Sequence, residues 1–154
     1  MKKIDALDIS AYFLDNIYEF NDSYLTVRKL YKVLYYAQVW YLVNFGVPLF
    51  EDDIVTWEFG PYIMLVESAY GCYGYASIED YGMCNKELLG KKRIEFLDEF
   101  LEVFGQFSAT HLWNMIKIED PWIKAYKKGE GVVIDLEDMK EFYTKLLNKG
   151  KKHG

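Results

Sequence analysis

The side chains best suited to nucleophilic, acid–base or metal chemistry are two histidines and two cysteines. His111 is the only histidine away from the chain end, and Ser108 lies three residues before it, so both fall on one helical turn. A Ser–His hydrolase also needs an orienting acid and an exposed nucleophile. The chain holds no Gly-x-Ser-x-Gly elbow, and Ser108 reads more simply as a helix N-cap. Cys72 and Cys84 form no Cys-x-x-Cys pair. With His111 and His153 they lack the ligand spacing of a zinc site, so neither metal nor cofactor is expected.

Phosphate chemistry has no better support. No Gly-x-x-x-x-Gly-Lys-Ser/Thr string is present, and Gly71-Cys72-Tyr73-Gly74 reads as a loop. The acid pairs Asp52-Asp53 and Glu119-Asp120 read as turn carboxylates. Basic residues cluster at Lys91-Lys92-Arg93, at Lys149 to Lys152 and at Arg28-Lys29-Leu30-Tyr31-Lys32. The first two read as solvated faces. The third leads into an apolar helix, so it is expected to cover that helix's exposed first turns rather than read DNA. The net charge of −6 disfavours a phosphate backbone as partner. The main alternative class is a small hydrolase or nucleotide-modifying enzyme centred on His111.

Helices must position these residues. Ile9, Tyr12, Phe13 and Ile17 recur at helical spacing and predict a helix from Ile4 to Tyr18, followed by a turn at Asn21-Asp22-Ser23. Thr26 to Phe45 is the second helix, N-capped by Thr26 and closed by Gly46 and Pro48. Its second half is apolar all round except for Gln38, the pattern of a buried helix. Arg28, Lys29 and Lys32 make it unsuitable as a membrane span. Ile54–Trp57 alternates and predicts a short strand, expected to pair with Val132–Ile134. Gly60-Pro61 punctuates, with Pro61 opening a helix through Tyr70. Residues 71–90 read as largely irregular. Further helices are expected over Lys92–Phe104, Ala109–Ile116, Pro121–Tyr126 and Leu136–Leu147.

The fold class expected is mainly α: a single helical domain around a buried central helix, with a small two-stranded β element. The 154 residues favour one domain, placed at 1–148, with a basic tail at 149–154. High apolar and aromatic content exclude a disordered or low-complexity chain. Asp5 and Asp8 interrupt any apolar signal region, so a cytoplasmic location is expected. The 14 tyrosines exceed what a small core needs and favour a partner-binding face.

Several strings resemble those of one family. Leu30-Tyr31-Lys32-Val33-Leu34-Tyr35-Tyr36-Ala37-Gln38-Val39-Trp40 is similar to the L-x-K-L-L-Y-Y-A-Q-x-W helix of the Panacea domain, the SocA-like, phage-associated antitoxins. Gly46-Val47-Pro48-Leu49-Phe50 resembles that family's G-x-P-L-F turn, and Trp57-Glu58-Phe59-Gly60-Pro61 its W-x-x-G-P segment. Ser108-Ala109-Thr110-His111-Leu112 resembles its L-T-H helix, and Pro121-Trp122-Ile123-Lys124-Ala125 its P-W-x-x-A motif.

The resemblance implies a non-enzymatic antitoxin that binds a protein toxin, encoded adjacently. Its alternative is an adaptor delivering a partner to a AAA+ protease. Self-association stays open. Tyr35, Tyr36, Gln38, Trp40, Trp57, Gly60, Pro61, His111, Pro121 and Trp122 would be scaffold. Gln38 would bond the Trp57–Pro61 backbone, and His111 would be a hydrogen-bonded structural residue. The segment from Cys72 to Gly90 departs most from the family pattern, so Tyr73, Tyr75 and Tyr81 are the candidate partner contacts. The acidic net charge points to a basic toxin surface.

Overall fold

The structure is a computed structural model that describes residues 3–17, 25–79 and 82–153. Helix α1 (Ala6–Asn16) starts at a reciprocal cap. Asp5 Oδ1 accepts from the Asp8 N–H at 2.9 Å, and Asp8 Oδ2 accepts from the Asp5 N–H at 3.0 Å. Two donors of the first turn are thereby satisfied. Ile9, Tyr12, Phe13 and Ile17 are buried, as their spacing requires. Tyr18 and the turn expected at Asn21-Asp22-Ser23 lie outside the described residues.

Helix α2 (Val27–Phe45) is the centre of the fold. Thr26 Oγ1 accepts from the Lys29 N–H at 3.2 Å, and Gly46, at φ +77°, ends the helix in the left-handed region that glycine enters freely. Fourteen of its nineteen residues are buried. No single stripe could achieve that, so other elements surround it: α1, α3, α4, α5, α7 and β2 all pack on it.

The β element departs from the sequence reading. Strand β1 (Val55–Trp57) pairs antiparallel with β2 (Gly60–Tyr62), in the register Val55↔Tyr62, Thr56↔Pro61 and Trp57↔Gly60. Pro61 therefore lies in a strand, and α3 (Met64–Tyr70) begins later than expected. The expected contact with Val132–Ile134 exists only as a single bridge, Val55↔Val133. The Thr56 N–H donates to Val132 O and the Ile134 N–H to Ile54 O. Closing a two-residue hairpin costs far less chain entropy than closing the long loop to Val133, and Gly60 at φ +123° permits the turn.

A 3₁₀ turn, Gly71–Tyr73, follows α3. Helix α4 (Lys86–Phe104) starts earlier than expected, because Asn85 caps one turn that Gly90 then breaks at φ 81°, ψ 161°. Ser108 caps α5 (Ala109–Ile116), Pro121 sits in the first turn of α6 (Asp120–Tyr126), and Asp135 accepts from the Asp138 N–H at the start of α7 (Leu136–His153). The last helix continues through Lys149 to His153. The protein is thus mainly α, with seven helices among the described residues and one small antiparallel sheet. No described helix is long and apolar enough to cross a membrane.

Candidate partner-binding face

The second half of α2 carries most of the motif residues, and the fold turns them inward. Tyr35, Tyr36 and Tyr143 are buried together around the carboxylate of Glu119. The hydroxyls of Tyr36 and Tyr143 both donate to Glu119 Oε1, the latter at 2.8 Å, and the Tyr35 and Tyr143 hydroxyls lie 3.1 Å apart. Burial pushes all three phenols well above their ordinary range, and the Glu119 charge adds to this. Burial also raises the Glu119 carboxyl, while the two hydroxyls pull it down. Trp40 stands edge-on to Tyr143 at 5.7 Å, with its buried Nε1 lacking an acceptor among the described residues.

Gln38 is satisfied, but not where the sequence placed it. Its Nε2 donates to Phe50 O at 2.9 Å, and its Oε1 accepts from the N–H groups of Leu49 and Phe50 at 2.7 and 3.3 Å. The Pro48–Phe50 turn, not the Trp57–Pro61 segment, folds back under α2. Its proximity in sequence makes that closure the cheaper one. Trp122 and Pro121 are buried, with Trp122 edge-on to Trp113 at 5.2 Å.

His111 corrects another expectation. It is exposed, its ring 4.4 Å from that of Phe107, and among the described residues no hydrogen bond holds its side chain. The Ser108 hydroxyl accepts from the His111 backbone N–H at 3.0 Å, so it serves as the cap. Cys72 and Cys84 are free thiols. Among the described residues, no three His, Cys, Asp or Glu side chains gather as a metal cluster would require.

The first turns of α2 are not the exposed turns expected of Arg28–Lys32: Val27, Lys29, Leu30, Tyr31 and Lys32 are buried and Arg28 is half-buried, because the hairpin and the Tyr75 loop converge on them. The Arg28 guanidinium lies 4.0 Å from the ring centre of Phe59, 4.2 Å from Tyr75 and 5.7 Å from Trp57. Its Nη2 donates to the Tyr75 hydroxyl at 3.0 Å. Trp57 contacts both Phe59, at 5.0 Å, and Tyr62, at 5.4 Å. Tyr62 in turn meets Tyr31 at 5.4 Å, and the Tyr31 hydroxyl donates to Glu67. Tyr75 is 76% exposed, and Phe59 is exposed too. Arginine stacked on rings gains cation–π energy while its edge donors stay available.

Beneath this layer lies Lys32, only 5% exposed. Its Nζ donates to Arg28 O at 3.2 Å. A Cβ at Gly60 would touch Lys32 Cε and Nζ at 3.5 Å, so a side-chain-free residue roofs the ammonium. Burial and the nearby Arg28 push the Lys32 amine down to about 8. Lys29 is 3% exposed, and burial lowers its amine as well.

Of the three tyrosines expected as partner contacts, Tyr75 is exposed and contacts Arg28. Tyr73 is half-buried against the core, and Tyr81 lies outside the described residues. The sequence reading missed Arg28 and Phe59 as members of this face. The usable signal was Glu58-Phe59 between Trp57 and Gly60, which becomes a hairpin tip once Pro61 is read as strand.

The fold and this face define a helical domain with a hydrogen-bonded polar cluster inside and a cationic–aromatic surface at Arg28. The chain belongs to the antitoxin SocA-like, Panacea domain family, whose model matches residues 30–123. The matched span takes in α2 from Leu30 onward, the hairpin, α5 and the first half of α6, so it contains the Tyr–Glu119 cluster's α2 members and Arg28's aromatic neighbours but not Arg28 itself. No curated protein and no solved structure matches the chain.

Proposed function

We propose that the protein is an antitoxin that neutralises a cognate protein toxin by direct binding, and that the face around Arg28 makes the contact. One observation carries the choice of face: the Arg28 guanidinium contacts the rings of both Phe59 and Tyr75, two exposed aromatic residues. Interface hot spots are enriched in Trp, Tyr and Arg because these offer large rigid area with polar ends. Here the arginine is already ordered by its rings, so little rotamer freedom remains to be lost on binding. Family membership supports the antitoxin role. The role needs no turnover: the Ser108 hydroxyl is engaged as a cap, and His111 stacks on Phe107 rather than facing a nucleophile.

Co-expression with the product of the adjacent gene tests this. Growth rescue and a co-purifying complex are expected, both lost in Tyr75→Ala/Phe59→Ala. A non-toxic neighbour without rescue, or rescue by the double variant equal to wild type, overturns it.

A further inference from the structure

We infer that the face around Arg28 receives a carboxylate-bearing segment of its protein partner, an acidic loop or helix, rather than the basic surface that the net charge suggests. The inference rests on the partner-binding reading above and specifies the chemistry of the partner.

Arg28, Lys29 and Lys32 stand within the first two turns of α2, and no carboxylate pairs with any of them among the described residues. Glu67 is engaged by the Tyr31 hydroxyl, and Glu58 at the hairpin tip is exposed and forms no ion pair with these cations among the described residues. Lys29 and Lys32 are each at least nine-tenths buried. Unpaired buried cations are costly, and like charges one turn apart repel. An acidic group arriving at this face supplies the missing counter-charge.

Geometry favours a carboxylate docking on Arg28. A guanidinium has five N–H donors, and the Tyr75 hydroxyl engages one of its nitrogens. The rings of Phe59 and Tyr75 lie 4.0 and 4.2 Å from its central carbon, and the N–H donors not used by the Tyr75 hydroxyl are the ones a bidentate carboxylate would engage. Exposed Phe59 and Tyr75 would bury the apolar stem of an incoming Glu or Asp segment. A phosphate backbone is the weaker partner, because the whole chain is at −6 and would repel a polyanion beyond this one patch.

The acid-rich groove on the molecule behaves differently. Glu51, Asp53 and Glu137 line it together with exposed Val133 and Leu136. These carboxylates are solvent-exposed and can stay unpaired at little cost. Buried cations cannot.

The test uses the full chain and three fluorescein-labelled probes: a ten-residue peptide alternating Glu with Leu and Tyr, its Lys counterpart, and a ten-nucleotide DNA strand. The Glu peptide is expected to bind in fluorescence anisotropy, more weakly as salt rises. Arg28→Gln/Lys32→Met should weaken it by about tenfold or more, on the strength of charge-assisted pairs. Lys127→Gln/Lys128→Gln, which removes the same charge at an exposed site, should leave it unchanged. Circular dichroism checks that each variant folds, and Tyr75→Ala is the second probe of the face should the double variant not fold. Preference for the Lys peptide or for DNA, or equal loss in both charge variants, overturns the inference. If the Glu peptide binds as expected but no growth rescue occurs, the antitoxin reading alone falls. If rescue persists in Arg28→Gln/Lys32→Met while no probe binds, the acidic-partner inference alone falls.

Discussion

Helix α2 carries two polar regions that obey opposite rules. In its second half, Tyr35, Tyr36 and Gln38 are buried with partners: Glu119 and Tyr143 for the tyrosines, the Leu49–Phe50 backbone for the amide. In its first turns, Lys29 and Lys32 are buried and Arg28 lies against aromatic rings, none of them paired with an acid among the described residues. The difference teaches where each region's purpose lies. A satisfied buried network specifies one packing arrangement. Unpaired buried cations subtract from stability, so the fold does not need them for itself. Substitutions should therefore hurt stability in one region and binding in the other.

The largest expected effect is at Glu119. Glu119→Ala orphans the Tyr36 hydroxyl and leaves that of Tyr143 with Tyr35 alone, and should lower unfolding stability by about 2–4 kcal/mol in urea denaturation, at about 1–3 kcal/mol per buried group that loses its partner. Glu119→Gln keeps an oxygen for both hydroxyls and should fall within about 1 kcal/mol of wild type. Equal losses would show that the carboxylate's charge, not its acceptor, matters. Next comes Gln38→Leu, which strands the Leu49 and Phe50 N–H groups and should cost about 2–3 kcal/mol.

Lys32→Met sharpens the contrast by reversing its sign. Lys32 holds its proton less tightly folded, at about 8, than at its ordinary value of 10.5. Between these values the unfolded chain binds more protons, so wild-type stability should rise with pH across that window. The variant should lack this rise and be more stable near neutral pH by about 1 kcal/mol or more, on the desolvation cost it removes. Thermal melts across pH 7–10.5, a range taken from those two values, provide the measurement. Destabilisation by Lys32→Met would break the comparison.

Tyr75→Ala should leave stability within about 0.5 kcal/mol, as exposed side chains usually do, while abolishing toxin rescue. The smallest effect is expected for His111→Ala: stability again within about 0.5 kcal/mol, and rescue intact. A loss of activity there, with stability unchanged, would instead support chemistry at His111.

Much of the helical framework was legible because its signals are local. Thr26 and Ser108 cap the helices they were expected to cap, and Gly46 ends α2 where its conformational freedom allows. The burial of α2 followed from apolar residues on every side. The β element was legible in kind but not in pairing. Pro61 is a good first helical residue and an equally good edge-strand residue. Only the antiparallel register with Thr56 decides between them. Tyr75 was legible as a contact candidate, whereas Arg28 was not, since its role depends on rings contributed by the hairpin and by residue 75.

By itself, then, the order of residues determined the helices, their caps, the buried course of α2 and the family, all set by neighbours within a few positions or by strings of rare residues. The tertiary structure alone decided which polar groups meet. It brought Glu119 to Tyr36 across 83 positions and Tyr75 to Arg28 across 47. It left Lys32 roofed by Gly60 without a carboxylate. Hydrogen bonding and charge pairing act between atoms a few ångströms apart, and distance along the chain does not report distance in the folded state.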